Sequence, residues 1–327
     1  MDLKPEPKIS GQKWKIGMIL SDAITDISWN GPAYGALMEI AKNFGCDVSF
    51  KESVPPEEAS EEIRDYAIRG FDIIFAHGGQ YAASVIEVAK EFTTKFFVAI
   101  TVTSIENAPK NVGIVLVDFR QISYLAGMIA GYLTKTNKLG YISPFSIPDI
   151  EKWKECFLMG AKRINPMAEL DYAVAHTFTD VSRAKDLALE MINNGADFVY
   201  GQGHGPTLGA IKACDETRRA LTFGSQADMH SVAPEVVVTS LVWNASLIYK
   251  AVAGSIINMG KIKPAYYYGI AEGGVYLAPF YNFEDCIPQR LKKMLNEARG
   301  DIIDGRIKLP KGPGVLMTEK LLKSKIP

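Results

Sequence analysis

Trp29 and Asn30 stand side by side in a polar stretch that follows an apolar run, pairing a flat π-face with an amide able both to donate and to accept hydrogen bonds. Such a pair suits a planar heterocycle, and its bland alternative is a core indole beside a capping amide. Asp22 adds a carboxylate to the same stretch. A second carboxylate, Asp228, follows the apolar run 220–224, where it can accept from ligand N–H or O–H groups or cap the segment after it. Trp243 and Asn244 follow the run 236–242, and Trp243 serves equally as a second stacking face or as packing at a hinge. Two Gly-rich turns complete the set: His77, Gly79 and Gln80 after one apolar run, and Gln202, Gly203 and His204 after another. Their glycines mark places where backbone approaches something closely or takes a positive φ.

Several chemistries lack their residues. Gly201, Gly203 and Gly205 do not have the Gly-x-Gly-x-x-Gly spacing of a dinucleotide loop, and no Gly-Lys-Ser/Thr phosphate loop follows. His77-Gly78-Gly79 is half of a hydrolase oxyanion turn without the Gly-x-Ser-x-Gly nucleophile elbow that accompanies it. The four histidines never fall at metal-ligand spacing along one helix, and the four cysteines form no Cys-x-x-Cys pair and read as buried free thiols. The expectation is no catalytic residue, no metal and no cofactor.

The elements that must position these residues read as one plan used twice. Gly70-Phe71-Asp72 followed by an apolar run and His77-Gly78 is echoed by Gly195-Ala196-Asp197, an apolar run and Gly201-Gln202-Gly203. Upstream, Lys15-Ile16-Gly17-Met18-Ile19 is echoed at nearly the same offset by Lys138-Leu139-Gly140-Tyr141-Ile142. Within each half short apolar runs alternate with amphipathic stretches, for instance 14–20 then 31–44, 46–52 then 57–69, and 71–76 then 82–92. Alternation of this kind builds a parallel sheet with crossover helices on both faces. The fold class is therefore α/β, with two doubly wound Rossmann-like lobes joined by a hinge. The expected lobes are 14–117 plus 243–269, and 118–242 plus 270–320, with 1–13 a flexible N-terminal segment. Ligands of such sheets bind at the carboxyl ends of the strands, where the candidate residues lie.

Bulk properties agree with two folded domains. The chain has 327 residues, 47% of them hydrophobic and 22% charged, and its net charge of −1 carries no basic block for nucleic acid. The apolar stretches 125–133 and 245–259 are too short or interrupted to span a bilayer. The first 13 residues lack the apolar core of a signal peptide, which leaves either a cytoplasmic protein or one whose export signal has been removed.

Over nearly its whole length the chain resembles the basic membrane protein family, the purine-nucleoside-type receptors of ABC importers. The resemblance rests on Asp26-Ile27-Ser28-Trp29-Asn30, Asn111-Val112-Gly113, Ser123-Tyr124-Leu125-Ala126-Gly127, Lys135-Thr136-Asn137-Lys138-Leu139-Gly140 and Thr239-Ser240. It implies a type I periplasmic-binding-protein fold and an extracytoplasmic, often lipid-anchored monomer that closes two lobes over its ligand and serves an ABC permease. It also implies that Asp22 and Asn30 contact the base, that Trp29 replaces the family's stacking Phe, and that Asp228 matches a carboxylate binding ribose hydroxyls. Trp243 stands where nucleoside binders of the family have Lys, and Thr101 where many have Asp. Those two departures favour a purine base such as adenine, guanine or hypoxanthine over a purine nucleoside. The alternatives are a different aromatic small molecule, a cytoplasmic ligand-sensing regulator with the same fold, or an enzyme using Asp22, Asp26 or Asp228 as acid or base.

Overall fold

The computed structural model describes residues 13–101 and 108–311. The expected flexible segment therefore lies, for residues 1–12, outside the described residues, as does the end of the second expected lobe from 312 to 320. The chain divides into two compact units, with boundaries at Val117/Asp118, Trp243/Asn244 and Tyr268/Gly269.

The first unit contains β1 (Lys15–Leu20), α1 (Asn30–Phe44), β2 (Asp47–Lys51), α2 (Ala59–Ile68), β3 (Ile73–His77), α3 (Ala82–Glu91), β4 (Phe96–Thr101) and β5 (Val112–Val117). The second contains α4 (Phe119–Leu133), β6 (Lys138–Ser143), α5 (Pro148–Ile164), β7 (Glu169–Val174), α6 (Val181–Asn193), β8 (Phe198–Gly201), α7 (His204–Thr217), β9 (Thr222–Gln226) and β10 (Val237–Trp243). The chain then returns to the first unit as α8 (Ala245–Met259) and β11 (Ala265–Tyr268), and passes again to the second as β12 (Val275–Leu277) and α9 (Gln289–Ile303).

In the first unit six parallel strands run in the order β11-β5-β4-β3-β1-β2. β3, β4 and β5 are buried along their whole length, as strands covered on both faces must be, which explains their unbroken apolar runs. Side chains alternate between the faces. Ile74 and Ala76 join the core beneath α2 and α3, while Phe75 between them touches Tyr249 of α8. α8 therefore covers the opposite face, where it packs along α1 and Gly254 meets the Phe44 ring.

The second unit repeats this order as β7-β6-β8, then β9-β10-β12, with one parallel bridge between Phe198 and Leu221 joining the two sets. The expected all-parallel sheet is not realised at its last edge, because β12 pairs with β10 antiparallel. Trp243 lies inside this sheet, opposite Val275, and so closes a strand of the second unit instead of opening the return segment of the first.

The duplicated Gly-x-Asp turns do the same structural work in each unit. Gly70 and Gly195 sit at φ of 84° and 97°, where a side chain would be strained. Asp72 then accepts from the Lys15 backbone N–H at 2.8 Å, and Asp197 from those of Lys135 and Thr136 at 2.6 and 3.0 Å. Each carboxylate thus ties its own strand to the entry of the neighbouring one. Asn111 is also structural: its Nδ2 reaches the carbonyls of Ala89, Phe92 and Lys95. Of the cysteines, Cys46, Cys156 and Cys214 are buried, but Cys286 is exposed, contrary to expectation.

Candidate functional site

The loop between β1 and α1 is built around Asp26, a carboxylate only 6% exposed. Its Oδ1 accepts from the Ser28 N–H (2.8 Å) and hydroxyl (2.6 Å), and its Oδ2 from Trp29 N–H (3.2 Å), Asn30 N–H (3.0 Å) and Asn30 Nδ2 (2.9 Å). These donors include the orphan N–H groups that open α1, next to the positive end of the helix dipole. Asn30 continues the closure: its Oδ1 accepts from Ser21 N–H, Ser21 hydroxyl and Asp22 N–H. Asn30 was expected to contact the ligand. It is buried, and its amide is engaged in joining the end of β1 to the start of α1. Asp22 differs, being half-buried, with its Oδ1 taking the Ala23 N–H and its Oδ2 taking no hydrogen bond among the described residues.

This closed loop presents Trp29, which is half-buried, at the carboxyl end of β1. His77 lies beneath it, with ring centroids 4.3 Å apart and planes inclined by 25°. His77 also hydrogen-bonds at both nitrogens, Nε2 to the Trp29 carbonyl (3.1 Å) and Nδ1 to the Tyr249 hydroxyl (2.7 Å). A carbonyl only accepts, so Nε2 carries the proton and Nδ1 accepts from Tyr249. His77 was expected on the ligand surface, but it has no exposed surface at all. The reason is register: His77 is the last residue of β3 and shares the face of Phe75, which turns it under Trp29 toward α8. Gly78 follows at φ 144° with the Gln80 amide folded over it. Gly79 is half-buried and Gln80 exposed in the short turn that leads to α3.

Burial pushes the His77 imidazole down to about 3, against smaller upward pulls from the Trp29 carbonyl and Asp26. Its folded pKa is below its unfolded one, so the unfolded chain binds the extra proton, and stability falls as pH drops through the unfolded value near 6.5 toward 3. Between about pH 6 and pH 4 the loss is expected to approach about 1.4 kcal/mol per pH unit. Urea titrations at pH 7, 5.5 and 4.5 on wild type and His77→Gln check this. The difference in stability between the two should shrink or reverse as pH falls, and a constant difference would show that His77 does not stay neutral in the fold.

In the second unit the strand ends carry a different set. Gln202 was expected to face a ligand, but it is 4% exposed, and its Oε1 accepts from the Tyr141 hydroxyl at 2.9 Å within the cluster of Tyr141, Phe157 and Tyr200. Gly203, at φ 88°, opens α7 ahead of the half-buried His204. Its neighbour Gly201 lies so close to the helix that a Cβ there would meet the Pro206 carbonyl oxygen at 1.9 Å, so this glycine serves packing of strand on helix. Asp228 is exposed beyond β9 and accepts from His230 N–H (3.1 Å), the Ser240 hydroxyl (3.4 Å) and the Tyr281 hydroxyl. The Tyr281 ring stacks on His230 at 4.2 Å. Trp243 is 2% exposed, so its ring offers no open stacking face.

In the first unit the Asn244 side chain, also expected at a ligand, caps α8 by accepting from Leu247 N–H at 3.1 Å. The sequence reading did not single out Phe178. It follows β7, is 50% exposed, and lies 4.9 Å from Phe145, which follows β6. Hydrogen bonds from Thr177 N–H to the Pro144 carbonyl and from Gly205 N–H to the Phe178 carbonyl hold the pair at the strand ends. Among the described residues no group of three His, Cys, Asp or Glu could hold a metal ion, and no helix is long and apolar enough to cross a membrane.

Residues 13–312 match the family described as Bmp, ABC transporter substrate-binding protein PnrA-like. The chain is 28% identical to the transcriptional activator protein med of Bacillus subtilis (strain 168), over 87% of this chain and 88% of that one. It is 26% identical to a purine-binding protein of Brucella abortus (strain 2308), over 92% and 84% respectively. A crystal structure of an ABC transporter solute-binding protein from Aeropyrum pernix K1 superposes with a TM-score of 0.83, covering 94% of this chain and 98% of that one at 17% identity, which is a likeness of fold.

Proposed function

The chain belongs to the family of PnrA-like substrate-binding proteins of ABC transporters, and on that premise we propose that it is an extracytoplasmic receptor for a purine base, adenine, guanine or hypoxanthine, or for a purine nucleoside. The observation that carries this reading is Trp29, an indole fixed at the carboxyl end of β1 by a ring stacked beneath it and by a closed network of hydrogen bonds. Stacking on such a ring is the contact a flat heterocycle gains most from. Asp22 Oδ2 supplies an acceptor for a base N–H. The base is favoured over the nucleoside because Tyr281, His230 and Ser240 already engage the carboxylate of Asp228. A ribose hydroxyl would be left about one of the carboxylate's roughly four acceptor positions, beside the Tyr281 hydroxyl. No bond is broken in this action: the ligand stabilises closure about the hinge, and the closed form is what a permease recognises.

Thermal unfolding against purine bases, purine nucleosides, pyrimidines, sugars and amino acids tests it. A ligand at 100 times its Kd adds about 2.7 kcal/mol to the folded state. A purine base is expected to raise Tm by several degrees, and Trp29→Ala to abolish the rise. A rise with a sugar or amino acid alone would overturn the ligand. A second reading, a ligand-sensing regulator, is favoured by the relative named as a transcriptional activator. Purine-dependent association with an ABC permease supports the importer, and purine-dependent control of transcription supports the regulator.

A further inference from the structure

We infer that His77 and Tyr249 are positioning residues that lock the Trp29 ring from behind, so that the stacking surface is set by α8 as well as by its own loop. This rests on the purine-receptor reading for its ligand, but the geometry stands independently. Trp29 is held at two points by one side chain: its ring lies on the His77 imidazole, and its carbonyl takes the Nε2 proton. The imidazole has no freedom to turn, because Nδ1 accepts from Tyr249 and a rotation would cost both bonds. Tyr249 is itself fully buried and packed on Phe75, so its hydroxyl is delivered from a fixed point on α8. α8 is anchored in turn to α1, the helix that Trp29 precedes, through Glu39, which takes Ser246 at 2.6 Å and Lys250 at 2.7 Å. The helix starts at the residue after Asn244, where the chain re-enters the first unit. A fixed ring loses little freedom when a ligand stacks on it, and that saving appears as affinity.

Tyr249→Phe tests the lock, since it removes one hydroxyl and leaves the ring packed. Hydrogen–deuterium exchange of the ligand-free full chain is read alongside titration calorimetry with adenine, guanine and hypoxanthine. The expected result is faster exchange confined to residues 21–30 and affinity for the purine base weakened by roughly 3- to 10-fold, the range that one neutral hydrogen bond spans. His77→Gln keeps a donor for the Trp29 carbonyl but removes the ring beneath the indole, and is expected to weaken binding further. Exchange that rises throughout β1–β5, or that is unchanged in 21–30, would reduce both residues to ordinary core packing and overturn the inference. If wild type binds none of the three bases, the free-base reading falls, while the exchange pattern of Tyr249→Phe still decides whether the lock exists.

Discussion

Asp26→Ala is expected to destabilise the first unit by about 3–5 kcal/mol and to remove ligand binding together with it. The size follows from the number of donors stranded. At least five hydrogen bonds end on this one carboxylate, three of them from backbone N–H groups at the entry to α1, in surroundings where the residue itself is 6% exposed. Each buried donor left without a partner costs about 1–3 kcal/mol before water is admitted, and bonds to an ionised acceptor lie at the upper end. Asp26→Asn is expected to recover only part of the loss, because its NH₂ must face donors on one side. Asp22→Ala is the internal comparison: among the described residues that carboxylate accepts only the Ala23 N–H, so its removal should cost less than about 1 kcal/mol. Urea unfolding of the three variants, followed by the purine thermal shift on whatever remains folded, checks the order. Equal stability of Asp26→Ala and Asp22→Ala would mean that the loop is held by something other than this carboxylate.

The same residues show what the sequence could and could not disclose. Apolar runs announce β1, β3 and β4 because parallel strands covered on both faces have no polar side to interrupt them. The repeated Gly-x-Asp turn is legible for a similar reason, since a positive φ and a nearby carboxylate are local requirements. The strand-end rule then points to the loops after β1, β3 and β8, yet it does not say which way a side chain turns. His77 reads as the first residue after a strand and is in fact its last, and that single position sets its face. Asn30 and Asn244 carry amides whose partners lie within nine and three residues, so a local signal existed: Asp-x-Ser-x-Asn is a pattern of side chains bonding to nearby backbone, as is Asn three residues ahead of Leu247. Tyr249 had no such signal, because it meets His77 from 172 residues away through the packing of α8 on the sheet. Phe178 went unread because β7 is half-exposed and lacks the apolar run that marks the other strands.

The second large effect lies away from the ligand loops, where α4 crosses α5. Gly127 and Gly160 face one another's backbones: a Cβ on Gly127 would meet the Phe157 carbonyl oxygen at 1.9 Å, and one on Gly160 the Tyr124 carbonyl oxygen at 1.9 Å. Gly131 repeats the contact one turn on, against the Ala161 carbonyl at 2.5 Å. The obstacle is main chain on both sides, so no rotamer change relieves it, and the helices must separate. Separation would loosen Phe119 from Trp153 and Phe157 from Tyr141, rings now 4.8 and 5.5 Å apart at their centroids. Gly160→Ala is therefore expected to cost about 2–4 kcal/mol, at or beyond the usual range for overpacking a core. Gly127→Ala should cost a similar amount, and the double variant less than the sum, because one displacement of the helices accommodates both methyl groups. Gly300→Ala in α9 is the control: nothing lies within 4 Å of its Cβ, so the change should be neutral or stabilise by about 0.5–1 kcal/mol through the helical preference of Ala. Urea denaturation of the four variants decides the matter. Full additivity at positions 127 and 160 would show that each methyl group is absorbed locally, and that the close approach of α4 and α5 is not a constraint the two glycines share.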